Sequence, residues 1–241
     1  MCLIDDKSVD VILCDLPYGT VGVKTISWDK VLPLDKIWQH YERIIKDNGA
    51  IILTASQPFT TDLINSNRKL FKYEWIWNKG QAGNFANAKK QPLRKHENIL
   101  IFYKKPPTYN PQMELAEPKN IRPTKDAGIN SMTTNKLTAK HSKEYKQEVN
   151  YPSTIIYFHG RMAECNSKYR IHPTQKPVAL FEYLIKTYSN EGDLVLDNCM
   201  GSGTTAIACI NTNRNYIGFE TDKTYYDLAN KRINQLTIKN T

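Results

Sequence analysis

The chain has 241 residues, 40% of them hydrophobic and 24% charged, with a formal net charge of +9. That length and balance describe a globular protein with one large core, or one domain carrying an insertion. No apolar run is long enough to cross a bilayer, and the opening MCLIDDKSVD turns acidic too early for a secretory signal, so a cytoplasmic location is expected.

The positive charge suits a polyanionic partner and is also compatible with plain solubility. Its distribution is more informative than its sum. Between Lys104 and Lys176 there are 13 Lys/Arg against 6 Asp/Glu, so most of the excess sits in one middle segment. Five cysteines (Cys2, Cys14, Cys165, Cys199 and Cys209) are odd in number and form no C-x-x-C pair. They point to reduced thiols, without a disulfide framework or a metal site.

In chain order, Val9 to Cys14 (VDVILC) has the composition of a buried strand and ends in Asp15-Leu16-Pro17-Tyr18-Gly19. Leu34 to Lys46 has helical spacing, with Ile37, Tyr41, Ile44 and Ile45 on one face, and Asn48-Gly49 is expected to stop it. Ala50 to Thr54 is the next strand. Ser56 is placed to cap a helix through Leu63 and Ile64. Phe71 to Trp77 and Asn98 to Tyr103 predict two more strands, joined by a polar, basic loop over 78–95. From Lys105 to about Arg170 periodicity fades and prolines stand at 106, 107, 111, 118 and 123. This stretch predicts a loop-rich insertion with a strand pair near Tyr151 to Phe158; a proline-rich linker is the alternative.

The remainder is regular. Pro177 to Tyr188 predicts a helix with proline in its first turn. Asp193 to Asp197 predicts a strand, Met200 to Thr205 a glycine turn, Ala206 to Ile210 a helix, Asn215 to Glu220 a strand, and Asp222 to Leu236 a last helix. Strand, turn, helix and strand in this order make a parallel βαβ unit.

Gly201 and Gly203 let the backbone after the Asp193–Asp197 strand turn tightly and approach a ligand. Glu220 ends the following strand, where an acid bonds ribose hydroxyls in nucleotide-binding folds. The turn has neither the G-x-G-x-x-G spacing of dinucleotide folds nor the lysine of a phosphate loop. A ligand with a ribose and no phosphates fits better, and S-adenosylmethionine is one. Asp15 to Tyr18 also follows a parallel strand and is expected on the same rim. A carboxylate accepting one N–H of an exocyclic amine, with a backbone carbonyl accepting the other, would pull that poor nucleophile toward tetrahedral geometry. Pro17 fixes the turn, and Tyr18 offers a ring to a flipped-out base.

Taken together, the motifs resemble the amino-methyltransferases of DNA, the N6-adenine and N4-cytosine enzymes, in the permuted class whose catalytic half precedes the cofactor half. The family's D-P-P-Y or S-P-P-Y turn is DLPY at 15–18. Its H-P-T-Q-K-P segment is 172–177, its D-P-F-x-G-S-G-T-T turn is DNCMGSGTT at 197–205, and its I-G-x-E strand end is IGFE at 217–220. KHENILIFYK at 95–104 is similar to the strand before the family's target-recognition region.

The resemblance implies an α/β fold: a Rossmann-like, mostly parallel sheet with helices on both faces and a loop-rich target-recognition insertion. It divides the chain into a catalytic half (1–105), the insertion (106–170) and a cofactor half (171–241). It implies S-adenosylmethionine as methyl donor, double-stranded DNA as substrate, and N6 of adenine as the target that Asp15 favours. Asp15 and the Leu16 or Pro17 carbonyl would hold the amine, and Tyr18 would stack on the base. Asp197, Cys199, Gly201, Ser202, Gly203, Thr204 and Thr205 would surround the cofactor's methionine part. Thr174, Gln175 and Lys176 would reach its carboxylate, and Glu220 would hold its ribose. Lys89, Lys90, Arg94 and Lys95 would grip DNA phosphates; a solvated charged loop is the alternative.

Leu16 stands where the family has proline, and Asn198 and Cys199 replace its proline and phenylalanine. About eight residues precede Val9, so the sheet is expected to lack its N-terminal edge strand. A homodimer and a cognate restriction enzyme are compatible partners. Transfer to cytosine N4 and a catalytically silent DNA-binding subunit are the alternatives to adenine methylation, with a dinucleotide oxidoreductase further off.

Overall fold

A computed structural model describes residues 1–19, 29–83, 85–115, 149–160 and 171–239. Two compact units emerge, Met1–Asn110 with Thr154–Thr241, and Pro111–Ser153. The larger is built on a seven-stranded sheet. Its strands are β1 (Val9–Cys14), β2 (Ile45–Ala55), β3 (Phe71–Gly83), β4 (Arg94–Phe102), β7 (Ile155–Tyr157), β8 (Leu194–Asp197) and β9 (Asn215–Gly218), in the order β7-β3-β4-β2-β1-β8-β9. Among the described residues β9 is an edge strand. In the smaller unit, β5 (Glu114–Leu115) pairs antiparallel with β6 (Val149–Asn150). Residues 116–148 and 161–170, most of the expected insertion, lie outside the described residues.

β1 pairs parallel with both β2 and β8, β8 with β9, and β3 with β7. Among the described strands of this sheet, only β4 runs against its neighbours. Six strands therefore end on one rim, and β4 begins there.

Period-two alternation divides the core between the two faces. Ile12, Cys14, Ile51, Leu53, Leu100 and Phe102 pack with α1 (Leu34–Ile44) and α2 (Phe59–Ser66) through Trp38, Tyr41, Phe59 and Leu63. Val11, Leu13, Ile52, Ile99, Ile101 and Val195 pack with α3 (Val178–Tyr188) and α4 (Thr204–Asn211) through Leu180, Leu184, Ile185 and Ala208. Each fully buried Val, Leu, Ile or Phe among them contributes about 1.5–3 kcal/mol of transfer free energy. Helices cover both faces, as the resemblance implies. α5 (Lys223–Lys239) adds Ile233 to a small cluster with Ala206 and Ile207 of α4.

Several local expectations are corrected. α1 stops at Ile44 because Ile45 is already extended and opens β2. Asn48-Gly49 lies inside that strand, at a bulge where Val9 pairs Ile45 and Val11 pairs Ala50. A Cβ on Gly49 would come within 2.7 Å of the Asp10 carbonyl, so the residue permits a close approach of chains. Ser56 does not cap α2, whose N-cap is Pro58; its hydroxyl accepts from Arg94 Nη1 at 3.0 Å. The loop expected over 78–95 is shorter at both ends, since β3 reaches Gly83 and β4 starts at Arg94. Polar residues at the rim hide the alternation that would have announced these strand ends. The strand pair expected at 151–158 is a single short strand, β7, laid beside β3.

Candidate active site

The two turns singled out in the sequence follow adjacent parallel strands. Val11 pairs with Val195 and Ile12 with Leu196, so Asp15 and Asp197 leave the rim side by side. Both line one cavity of about 510 Å³, together with Leu16, Pro17, Tyr18, Thr174, Gln175, Lys176, Cys199, Gly201, Ser202, Thr204, Thr205 and Glu220. That volume is ordinary for a small-molecule site. The wall extends to Trp77 and Lys79 of β3 and Arg94 and Glu97 of β4.

In the cofactor half, the hydrogen bonds make the turn rigid. Asp197, buried at the end of β8, accepts the Cys199 N–H at 3.0 Å and the Thr205 hydroxyl. Burial pushes its carboxyl up to about 6, against the lowering effect of those donors. Glu220 accepts the Gly201 N–H at 2.8 Å and the Asp222 N–H at 2.9 Å, tying the turn after β8 to the end of β9. Gly201 (φ 50°) and Gly203 (φ 76°) occupy left-handed backbone, and a Cβ on Gly203 would stand 3.2 Å from that of Ala229 on α5. Arg232 reaches from α5 to the Ser202 carbonyl at 3.0 Å. His172 lies edge-on to Tyr225, its ring centroid 4.3 Å away, and burial lowers its basicity.

In the catalytic half, Asp15 is held by three donors from three segments. The Tyr18 hydroxyl lies 2.7 Å from Oδ1, the Thr54 hydroxyl at the end of β2 donates to the same oxygen, and Lys176 Nζ donates to Oδ2 at 2.6 Å. Tyr18 stacks on Phe59 with centroids 5.4 Å apart, so one face of its ring is covered by α2. Burial, then the charge of Asp15, raises the Tyr18 phenol well above the usual tyrosine range.

Lys176 lies between two acids. The motif resemblance sends it to a cofactor carboxylate, whereas its ammonium is buried between Asp15 and Glu97, 3.5 Å from Glu97 Oε2. Lys79 completes the chain at 3.0 Å from Glu97 Oε1. Burial alone would lower Lys176, but the two carboxylates overcome it and hold the ammonium above the usual lysine range. Glu97 is balanced the other way: burial raises it, and Lys176 and Lys79 outweigh that to leave it lowered. Two carboxylates and two ammonium groups make the cluster electrically neutral, which suits a low-dielectric wall.

Thr54, Lys79 and Glu97 were not read from the sequence as site residues. Glu97 lay in plain view within KHENILIFYK, but nothing local marks it as a site residue. Of the four expected phosphate-gripping residues, Arg94 lines the cavity, and Lys89, Lys90 and Lys95 are exposed outside it. No group of His, Cys, Asp and Glu able to hold a metal ion occurs among the described residues. Nor is any described helix long and apolar enough to cross a membrane.

Both the sequence and the fold are similar to those of known proteins. A family model described as DNA methylase, of the N6/N4 methyltransferases, matches residues 9–231. The DNA adenine methyltransferase YhdJ of Escherichia coli K12 is 30% identical over 247 residues, covering 95% of this chain and 78% of that protein. The crystal structure of an M1.HpyAVI–SAM complex is 26% identical with a TM-score of 0.60, covering 93% of this chain and 89% of its own. The cytosine-N4-specific PvuII DNA methyltransferase, 14% identical, shares the fold with a TM-score of 0.61, covering 96% of this chain and 88% of its own.

Proposed function

The chain belongs to the DNA methylase family of N6 and N4 methyltransferases, and from that premise we propose that it transfers a methyl group from S-adenosylmethionine to the N6 amino group of adenine in double-stranded DNA. The observation that carries this reading is the single cavity onto which both Asp15 and the Gly201–Glu220 pair open. The adenine specificity named for YhdJ supports the choice of base.

The residues fit the cofactor. Glu220 has spent one lone pair of each oxygen on a backbone N–H, and a carboxylate keeps about two further acceptor sites for a ribose diol. Gly201 to Thr205, with Asp197 and Cys199, offer a narrow polar turn to the methionine part, and Thr174 and Gln175 flank it. When bound, the sulfonium supplies an electrophilic methyl group.

The chain's own residues prepare the amine. Asp15 accepts one N–H, the Leu16 or Pro17 carbonyl accepts the other, and the nitrogen lone pair turns toward the methyl carbon. Attack there would form the new C–N bond, with the C–S bond of the bound donor breaking and its electron pair staying on sulfur. The amine then loses one proton to solvent. Bringing donor and acceptor together in one cavity supplies the proximity on which the rate depends. Tyr18 stacks against the flipped base, and Pro17 holds the turn. Lys89, Lys90 and Lys95 contact phosphates outside the cavity, and Arg94 does so from its wall.

Incubation with tritiated cofactor and mixed-sequence duplex, followed by digestion to nucleosides, tests the reading. Label in N6-methyladenine is expected. Label in N4-methylcytosine instead selects the sister activity, and no label in either removes the proposal.

A further inference from the structure

We propose that Lys176, braced by Glu97, is a positioning residue for the amine-binding carboxylate of Asp15 and not a ligand of the cofactor. The inference rests on the proposed methyl transfer and assigns it two residues from outside the catalytic turn.

Three observations carry it. First, Lys176 Nζ is 2.6 Å from Asp15 Oδ2, a short charge-assisted bond, while its side chain is only 7% exposed. Asp15 is thus the acid to which the ammonium is bound in this geometry, ahead of any acceptor the cavity would bring. Second, the donors divide the carboxylate. Lys176 occupies Oδ2, whereas Tyr18 and Thr54 meet at Oδ1. The Tyr18 hydroxyl is also 3.0 Å from Thr54 Oγ1, so it has a second acceptor when an amine N–H arrives at Oδ1. Lys176 has no such freedom and keeps the carboxylate plane fixed while Oδ1 changes partners. Third, Glu97 Oε2 is buried with no hydrogen-bond partner, and its charge is answered by Lys176 at 3.5 Å. That distance is too long for a good hydrogen bond, so Glu97 acts on Lys176 as a counter-charge. It holds the ammonium on the side of the cavity away from free solvent, and Lys79 holds Glu97 in turn.

The charged and titratable groups facing Asp15 come from every surrounding element: Lys176 before α3, Tyr18 in its own turn, Glu97 of β4 and Lys79 of β3 behind them, His172, and Asp197 of β8. Among these, Lys176 alone makes a direct ionic contact with the Asp15 carboxylate.

Lys176→Met, Lys176→Arg and Glu97→Gln test the inference in the full chain. Each variant is first checked for folding by circular dichroism. Cofactor affinity is then measured by calorimetry, and kcat and KM for duplex with S-adenosylmethionine saturating. Lys176→Met is expected to lower kcat about 100-fold, the scale of an ångström-sized misplacement of a catalytic group, with the cofactor Kd within threefold of wild type. Lys176→Arg should recover part of that loss, and Glu97→Gln should lower kcat about tenfold with the Kd unchanged. Should Lys176→Met not fold, the other two variants decide alone. A cofactor Kd weakened tenfold or more by Lys176→Met or Lys176→Arg, or a kcat indifferent to all folded variants, overturns the inference and leaves the proposed function standing. A wild-type protein that methylates neither adenine nor cytosine overturns both.

Discussion

Glu220 Oε2 accepts the Gly201 N–H at 2.8 Å, so the acid at the end of β9 also fixes the glycine turn that follows β8. Removing that carboxylate therefore acts twice on the cofactor end of the cavity. Glu220→Ala loses the diol acceptor and unties the turn. Its S-adenosylmethionine affinity is expected to fall by about 10- to 100-fold by calorimetry, the cost of one or two charge-assisted hydrogen bonds. The kcat at saturating cofactor should change far less.

Asp15→Ala should give the opposite division. Its carboxylate belongs to the catalytic turn and makes no hydrogen bond to the cofactor turn. Transfer of tritium to DNA is expected to drop by at least about 1,000-fold, while calorimetry gives a nearly wild-type cofactor Kd. Equal losses of affinity in the two variants would contradict this separation of roles.

Asp197 predicts a pH-dependent stability. Burial raises its carboxyl from the ordinary 3.8 to about 6, so the folded chain binds this proton more tightly than the unfolded one. The sign follows: the group costs nothing below pH about 4, and its full penalty, up to about 3 kcal/mol, is present above pH about 6. Asp197→Asn keeps an acceptor for the Cys199 N–H and can donate to the Thr205 oxygen. Its Tm in the absence of cofactor should exceed that of wild type at pH 8, with the gap closing as the pH falls toward 4. A lower Tm than wild type at pH 8 would show that the lost acceptor outweighs the relieved charge.

Tyr188 is a stability centre remote from the cavity. Its buried hydroxyl accepts from Trp75 Nε1 at 2.7 Å and shares a hydrogen bond with Tyr73 at 2.9 Å, linking α3 to β3. Tyr188→Phe leaves the indole N–H without its acceptor. Urea unfolding should show a loss of about 1–3 kcal/mol with methyl transfer preserved.

Lys89 and Lys90 are exposed beside the β3–β4 hairpin, outside the cavity wall. Lys89→Ala with Lys90→Ala should weaken DNA binding across all sequences. The slope of log K against log salt should flatten by about two if each lysine meets one phosphate. Cofactor affinity should stay the same. An unchanged slope would assign these lysines to solvent.

The sheet was legible wherever apolar residues ran in blocks or alternated, as in Val9–Cys14 and Leu194–Asp197, because a strand's period is written locally. The outer parts of β3 and β4 were not, since Asn78 to Gly83 and Arg94 to Glu97 are polar where the sheet edge meets the cavity. The placement of Asp15 and Glu220 on one rim followed from strand direction alone. The partners of Asp15 did not: Thr54 lies 39 residues away in the chain and Lys176 161 residues away. A motif announces a side chain's company in sequence, whereas its company in space depends on which strands end next to one another. Lys176 shows the difference, since the motif sets it beside Thr174 and Gln175 whereas its ammonium meets Asp15.

β4 alone starts at the rim where six other strands finish. The strand that anchors Glu97 is therefore also the one emerging from the basic hairpin, with Arg94 only three residues upstream. On the proposed reading, one strand thus joins the segment that would meet the polyanion to the counter-charge of Lys176, across the irregular register between Asn78 and Gly83.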